Sequence, residues 1–279
     1  MADTSFLDWP FLEPKHKALH AALEAWASDN LRHVDHDNTD QTCQALVAAL
    51  GAAGILKHTG VNATFPQIDV RSLCLIRETL ARHDGLADFA FAMQGLGTMA
   101  ISLFGSDTQK ADWLPKVQSG AALSAFALSE PQSGSDVANL QLSARRDGNG
   151  YVLNGEKTWI SNGGIADVYT VFARTGEAPG GRGISAFIVP ADTPGLQIAE
   201  RLETVSPHPL ARLVFADLHL TADAMIGDPG TGFKVAMATL DTMRTTVGAA
   251  ALGFARRAFD ESLNRAKNRE LFGAPLAEL

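Results

Sequence analysis

Apolar positions change their period twice along the chain. From residue 13 to 119 they recur at helical steps, with Leu19, Leu23 and Trp26 and the alanines between them marking one stripe. Asn38 or Thr39 can cap a second helix that runs to Ala53, and a third is expected from about Asp69 to His83, where Asp84-Gly85 breaks it. Residues 88–104 are apolar nearly all round, as in a helix buried inside a bundle. Asp107 is placed to cap one more helix, ending near Gly120.

Between 121 and 226 the period becomes two and turns multiply. Strands are expected over 122–128, 139–146, 151–160, 167–174, 184–190 and 211–220, and Asp147-Gly148-Asn149-Gly150 is a strong hairpin signal. From Gly230 the helical period returns. Phe233, Met237, Leu240, Val247, Ala251, Phe254 and Ala258 fall at steps of three, four or seven, which predicts one long amphipathic helix to about Asn268. Helices, then strands, then helices argue for an α+β fold. Its parts would be an N-terminal helical domain over 1–120, a central antiparallel β domain over 121–226, and the start of a C-terminal helical bundle over 227–279.

Composition narrows the function. The 279 residues are 46% hydrophobic and 19% charged, ordinary for a folded domain and enough for a buried core. A net charge of -8 is the wrong sign for tracking nucleic acid phosphates and is repelled by anionic membranes. The N-terminus shows no basic and apolar leader, and the apolar run 45–56 is too short to span a bilayer. Cys43 and Cys74 alone build neither a disulfide framework nor a structural zinc site, which fits a reducing, cytoplasmic setting.

Several short motifs lack the context their chemistry needs. Gly95-Leu96-Gly97 and Gly181-Arg182-Gly183 match a dinucleotide pattern, but the first falls within a helix and the second leads into a strand. Gly150 to Lys157 resembles a phosphate-binding loop, but Glu156 intrudes and the segment reads as a strand. His16 with His20, and His33 with His36, have metal-ligand spacings without further ligands on a matching element, so they read as solvated surface histidines.

Two segments are more informative. Glu130-Pro131-Gln132-Ser133-Gly134-Ser135-Asp136 is a loop leaving a strand. It offers hydroxyls and a glycine that permits close backbone approach, as a planar polar-edged ligand or a phosphate needs; a capped turn uses the same residues. Trp159 at a strand end, before Ser161-Asn162-Gly163-Gly164, is either a plate for a flat ligand or plain core.

Four segments in order, ALSEPQSGSD (127–136), LNGEKTWISNGG (153–164), GDPGTGFKVAMATLDTMR (227–244) and NRELFG (268–273), resemble the acyl-CoA dehydrogenase family. The resemblance implies FAD as cofactor, held by Phe126, Leu128, Ser129, Gly134, Ser135, Trp159, Ile160 and Ser161. Ser135, Asp241 and Arg244 are implied at the CoA thioester. Arg269 is implied at the FAD pyrophosphate of a neighbouring subunit, with Leu271 and Phe272 nearby; a guanidinium suits a phosphate through its bidentate fork. The reaction implied is oxidation of an acyl-CoA to the 2,3-enoyl-CoA, with electrons passed to an electron-transfer flavoprotein. The complete protein would be a homotetramer or homodimer, without nucleic acid or membrane partners.

The sequence departs from the family at the proton-abstracting base. The usual Glu lies in a later C-terminal segment that has no counterpart here, and the alternative position, just before the helix arginine, is Met243. A thioether takes no proton at neutral pH. Same-fold reactions therefore stay open: acyl-CoA oxidase, flavin monooxygenase, desulfinase, or a non-catalytic subunit binding CoA or partner helices. The turn Val205-Ser206-Pro207-His208-Pro209 also departs from the family; His208 reads as part of a rigid surface turn or as a substrate contact. Because the stripe of the long helix would lack much of its bundle, a chain ending at Leu279 is expected to be a fragment. It should self-associate or dissolve poorly, bind FAD weakly and not dehydrogenate acyl-CoA.

Overall fold

The computed structural model describes residues 3–278; Leu279 lies outside them. The helices are α1 (Pro14–Asn30), α2 (Thr39–Ala52), α3 (Val70–His83), α4 (Gly85–Phe104), α5 (Asp107–Gln118) and α6 (Gly232–Asn268). The strands are β1 (Ser124–Ala127), β2 (Ser143–Asp147), β3 (Gly150–Ser161), β4 (Val168–Arg174), β5 (Ile184–Pro190), β6 (Leu196–Arg201), β7 (Leu210–Thr221), β8 (Met225–Ile226), β9 (Glu270–Leu271) and β10 (Ala274–Pro275). The α+β order read from the periodicity is the order observed.

Two compact units form. One comprises residues up to Val34, Val70–Asp88 and the chain from Thr245; the other comprises Asp35–Asp69 and Phe89–Arg244. The second holds the sheet, ordered β6-β7-β3-β2-β4-β5-β8, with β1 paired to β4. Most pairings are antiparallel, as expected of the central domain, with β1 and β2 each running parallel to β4. Only Ser143 and Arg174 join β2 to β4, so the sheet is two halves hinged at one pair. Tyr169, Val171 and Phe187 of one half and Leu153, Leu213 and Phe215 of the other share a core. The opposite face of β4 and β5, with Val168, Phe172, Ile184 and Ile188, packs on Ile101 of α4, Leu114 and Val117 of α5, and Val235 of α6. A strand buried on both faces explains why β4 reads as a continuous apolar run.

Local signals account for most boundaries. Asn38 caps α2 by accepting from the Gln41 amide, and Asp147–Gly150 closes the β2–β3 hairpin. Helix α5 is capped by Ser106 and not by Asp107: Ser106 and Gln109 bond reciprocally as a capping box. The pairing of β6 with β7 was not anticipated, because β6 is a short edge strand with mostly exposed side chains and apolar alternation only over Leu196-Gln197-Ile198. Helix α4 is long and apolar enough to cross a membrane, but 78% of that stretch is buried.

The first unit is held by charge as well as apolar packing. Arg77 forks onto both carboxylate oxygens of Asp88 at 2.8 and 2.7 Å and donates to the Thr246 hydroxyl at 3.1 Å, all buried. His16 is fully buried, correcting the surface reading: its Nδ1 accepts from the Glu13 amide and closes a capping box on α1. His20 is half-buried, against the edge of Phe6, while His33 and His36 are exposed. Along the second half of α6, Val247, Leu252, Phe254, Phe259 and Leu263 are exposed.

Candidate functional site

Within the second unit, a cavity of about 420 Å³ opens where β1 and β3 end. Leu128 and Ser129, leaving β1, form one edge, and the loop residues Gly134, Ser135, Asp136, Val137 and Ala138 form a wall. Trp159, Ile160 and Ser161 of β3 form a second wall with Phe126. The apolar floor comes from Met93 and Leu96 of α4 and Phe233, Met237 and Leu240 of α6, with Arg244 at the rim. All eight residues implied at the flavin by the first two motifs, and Arg244 from the third, therefore line one cavity.

Trp159 has an unusual backbone. Its φ is +58°, left-handed for a bulky residue, and its side chain is 60% exposed. The cause is a bulge: Lys157 pairs with Leu213 and Ile160 with Ala211, leaving one extra residue on β3. Asn162, with φ +60°, anchors the far side of this segment. It is buried, its amide nitrogen donates to the Ser124 carbonyl at 2.9 Å, and its backbone N–H donates to the Pro209 carbonyl at 2.9 Å. Cys43 lies buried beside it, Sγ at 3.8 Å from Asn162 Oδ1, and burial pushes the thiol up to about 12. It is an inert packing cysteine, not a nucleophile.

A buried ion pair lies beneath both walls. Lys157 is 0% exposed and Glu130 is 6% exposed. The ammonium donates to Glu130 Oε1 at 2.8 Å and to the Leu128 carbonyl at 2.9 Å. Glu130 also accepts from the backbone N–H groups of Gln141 at 2.5 Å and Leu142 at 2.9 Å. Burial pulls Lys157 down to about 8, against the opposing pull of Glu130.

The cavity wall carries polar groups without internal partners. Among the described residues, the hydroxyls of Ser129, Ser135 and Ser161 make no intramolecular hydrogen bond. A Cβ at Gly134 would meet nothing within 4 Å, so no packing inside the chain demands that glycine. A flat ligand with polar edges satisfies both observations, with the exposed indole as a stacking surface.

The structure does not bring every implied residue to this cavity. Asp241 is exposed on α6 and binds Arg244 at 3.0 Å. Arg269, Leu271 and Phe272 belong to the other unit, at the short β9–β10 hairpin, which the sequence reading left out; Phe272 has φ +53° and is 97% exposed. Met243 is buried, its terminal methyl against α4 at Gly95, with the Thr59 side chain beside the same glycine. Asp136 is the one carboxylate in the cavity wall among the described residues, and it binds the Asn139 side chain at 2.5 Å. His208 packs against Phe89, centroids 4.7 Å apart and rings tilted by 48°, and bonds the Ser206 carbonyl at 2.8 Å, beside a separate polar cavity. Sequence reasoning missed the ion pair Glu130–Lys157. Its one signal is a glutamate and a lysine lying within the two site segments, 127–136 and 153–164.

Comparison with known proteins covers nearly the whole chain. Family profiles described as the acyl-CoA dehydrogenase N-terminal, middle and C-terminal domains match residues 13–121, 125–218 and 230–279. A Mycobacterium leprae protein named "Probable acyl-CoA dehydrogenase fadE25" is 37% identical over 271 residues, spanning 95% of this chain and 70% of that protein. The structure of butyryl-CoA dehydrogenase from Megasphaera elsdenii superposes with a TM-score of 0.84 at 30% identity, covering 96% of this chain and 73% of that one. A glutaryl-CoA dehydrogenase from Mycobacterium smegmatis, in complex with FADH2, gives a TM-score of 0.86 at 29% identity over 99% of this chain and 70% of that one.

Proposed function

Because the chain belongs to the acyl-CoA dehydrogenase family, we propose that its cavity holds FAD against the thioester of an acyl-CoA and serves oxidation of that acyl group to the 2,3-enoyl-CoA. One observation carries the reading: three unpartnered hydroxyls, an open glycine and a solvent-facing indole surround one apolar-floored cavity. The residues present fit a flavin. Phe126, Leu128 and Ile160 offer apolar contact, Trp159 a stacking face, and Ser129, Ser135 and Ser161 donors for polar ring edges. When bound, FAD would supply a two-electron acceptor for the hydride leaving the β-carbon; the α-proton has to leave to a base other than Met243, whose thioether takes none.

The chain's own residues bind and orient. Arg244 at the rim is the cation for the polar part of the CoA thioester, with Asp241 fixing its guanidinium at 3.0 Å. Ser135, on the loop side, reaches the same ligand. The floor formed by Met93, Leu96, Met237 and Leu240 shields the reacting carbons from water. Arg269 would act at the FAD pyrophosphate of a neighbouring subunit, in a homodimer or homotetramer. An electron-transfer flavoprotein is the proposed electron acceptor. A buried methionine at position 243 favours a second reading, in which the same site runs an oxidase, monooxygenase or desulfinase reaction or only binds CoA. Anaerobic mixing of FAD-loaded protein with an acyl-CoA panel decides. Bleaching of the flavin band supports dehydrogenation, and peroxide formed in air without a partner protein supports the oxidase. Failure of any thioester to perturb the flavin refutes the site.

A further inference from the structure

We propose that Lys157 and Glu130 are positioning residues that set the spacing between the two walls of the cavity, and through it the affinity for the flavin; the link to flavin rests on the functional reading above. Each member is fixed to one wall at its root. Lys157 lies two residues before Trp159, and Glu130 directly follows Ser129. Three hydrogen bonds join β3 to the segment leaving β1: Lys157 Nζ to the Leu128 carbonyl, Lys157 Nζ to Glu130, and the Thr158 amide to the Ser129 carbonyl at 3.0 Å.

The carboxylate then closes the loop at its base. By accepting from the amides of Gln141 and Leu142 it joins the loop's exit to its entry, so residues 131–140 leave and return through one group. Glu130 and Ser133 exchange backbone hydrogen bonds at 3.0 and 3.1 Å inside the same turn. Gly134, Ser135, Asp136, Val137 and Ala138, the whole loop wall of the cavity, lie between these anchors. Burying a carboxylate is costly without an opposite charge, and Lys157 is the cation placed beside it. Neither residue lines the cavity, so neither touches the ligand. Their effect is transmitted by geometry: a loop held at one end only presents Ser135 at variable distance from Trp159.

The test compares wild type, Lys157→Met and the charge-neutral double variant Lys157→Met/Glu130→Gln, all in the full chain. FAD affinity is read by titration, global stability by urea unfolding, and loop order by amide hydrogen exchange over residues 131–142 without FAD. The double variant removes the buried charge, so it stays folded even if Lys157→Met does not. It is expected to keep the unfolding midpoint near wild type, to exchange faster in 131–142 alone, and to bind FAD roughly tenfold or more weakly. Wild-type exchange in the loop of the double variant overturns the proposal whatever FAD does. Wild-type FAD affinity in a double variant with a loosened loop also overturns it, because charge balance would then have been the pair's whole role. A loosened loop in the variant, together with a wild type that takes no FAD, upholds the clamp and overturns the flavin reading instead.

Discussion

Substitution of Trp159 separates a ligand plate from a core residue. The indole is 60% exposed, so the folded chain covers about two fifths of it. An aromatic side chain can bury about 150–250 Å²; the covered part is then of order 60–100 Å², or about 2 kcal/mol at ~25 cal/mol per Å². Against this stands the backbone. At φ +58° an L-residue carries roughly 1–2 kcal/mol of strain that asparagine largely escapes. The two nearly cancel, so Trp159→Asn is expected to change stability by less than about 1 kcal/mol, where truncating a core tryptophan costs ~3–5 kcal/mol. FAD affinity should fall about tenfold or more, since stacking on an aromatic is worth ~1–3 kcal/mol in comparable base-stacking sites. Urea unfolding with a fixed slope gives the first quantity and flavin fluorescence titration the second. A loss of 3 kcal/mol or more with unchanged FAD affinity would make Trp159 ordinary core and refute the reasoning.

Three further outcomes follow from the structure. Lys157 has its ionisation depressed by burial to about 8, so between there and 10.5 the unfolded chain binds more protons than the folded one, and this group's contribution rises with pH. Wild type should therefore gain up to ~3 kcal/mol relative to Lys157→Met across that window, as read by urea midpoints; a constant difference refutes it. Gly97→Ala places a Cβ 2.4 Å from Ser124 Oγ and 2.8 Å from the Ala125 amide, so it should lower stability by ~1–3 kcal/mol, seen as a lower melting temperature. Arg244→Ala removes an exposed side chain, so stability should stay within about 0.5 kcal/mol while acyl-CoA affinity, measured calorimetrically, falls roughly tenfold to a hundredfold.

What was legible in the chain followed from period and local chemistry. Helix α6 was readable because its apolar steps persist from Phe233 to Ala258, about seven turns, and the β2–β3 hairpin because Asp-Gly-Asn-Gly dictates it. The cavity walls were readable because their residues fall in short contiguous segments. The remainder depended on contacts distant in sequence or on burial that alternation does not report. Lys157 reads only as the end of a failed phosphate-loop match until Glu130, 27 residues away, is seen beside it. His16 reads as surface until its ring is found closing a helix cap. The left-handed turn at Trp159 arises from a bulge against β7, which nothing around position 159 announces. The Ser106–Gln109 box is legible in its spacing, but Asp107 beside it has equal capping chemistry in sequence.

The central claim is that one cavity holds FAD and the acyl-CoA thioester together. Its most direct test is a difference spectrum of the FAD-reconstituted chain, recorded anaerobically while a short-chain acyl-CoA is added, with wild type and Arg244→Ala compared. A saturable perturbation of the bound flavin's visible band is expected in wild type, shifted to higher acyl-CoA concentration in Arg244→Ala. FAD that binds but shows the same spectrum with and without acyl-CoA would contradict it.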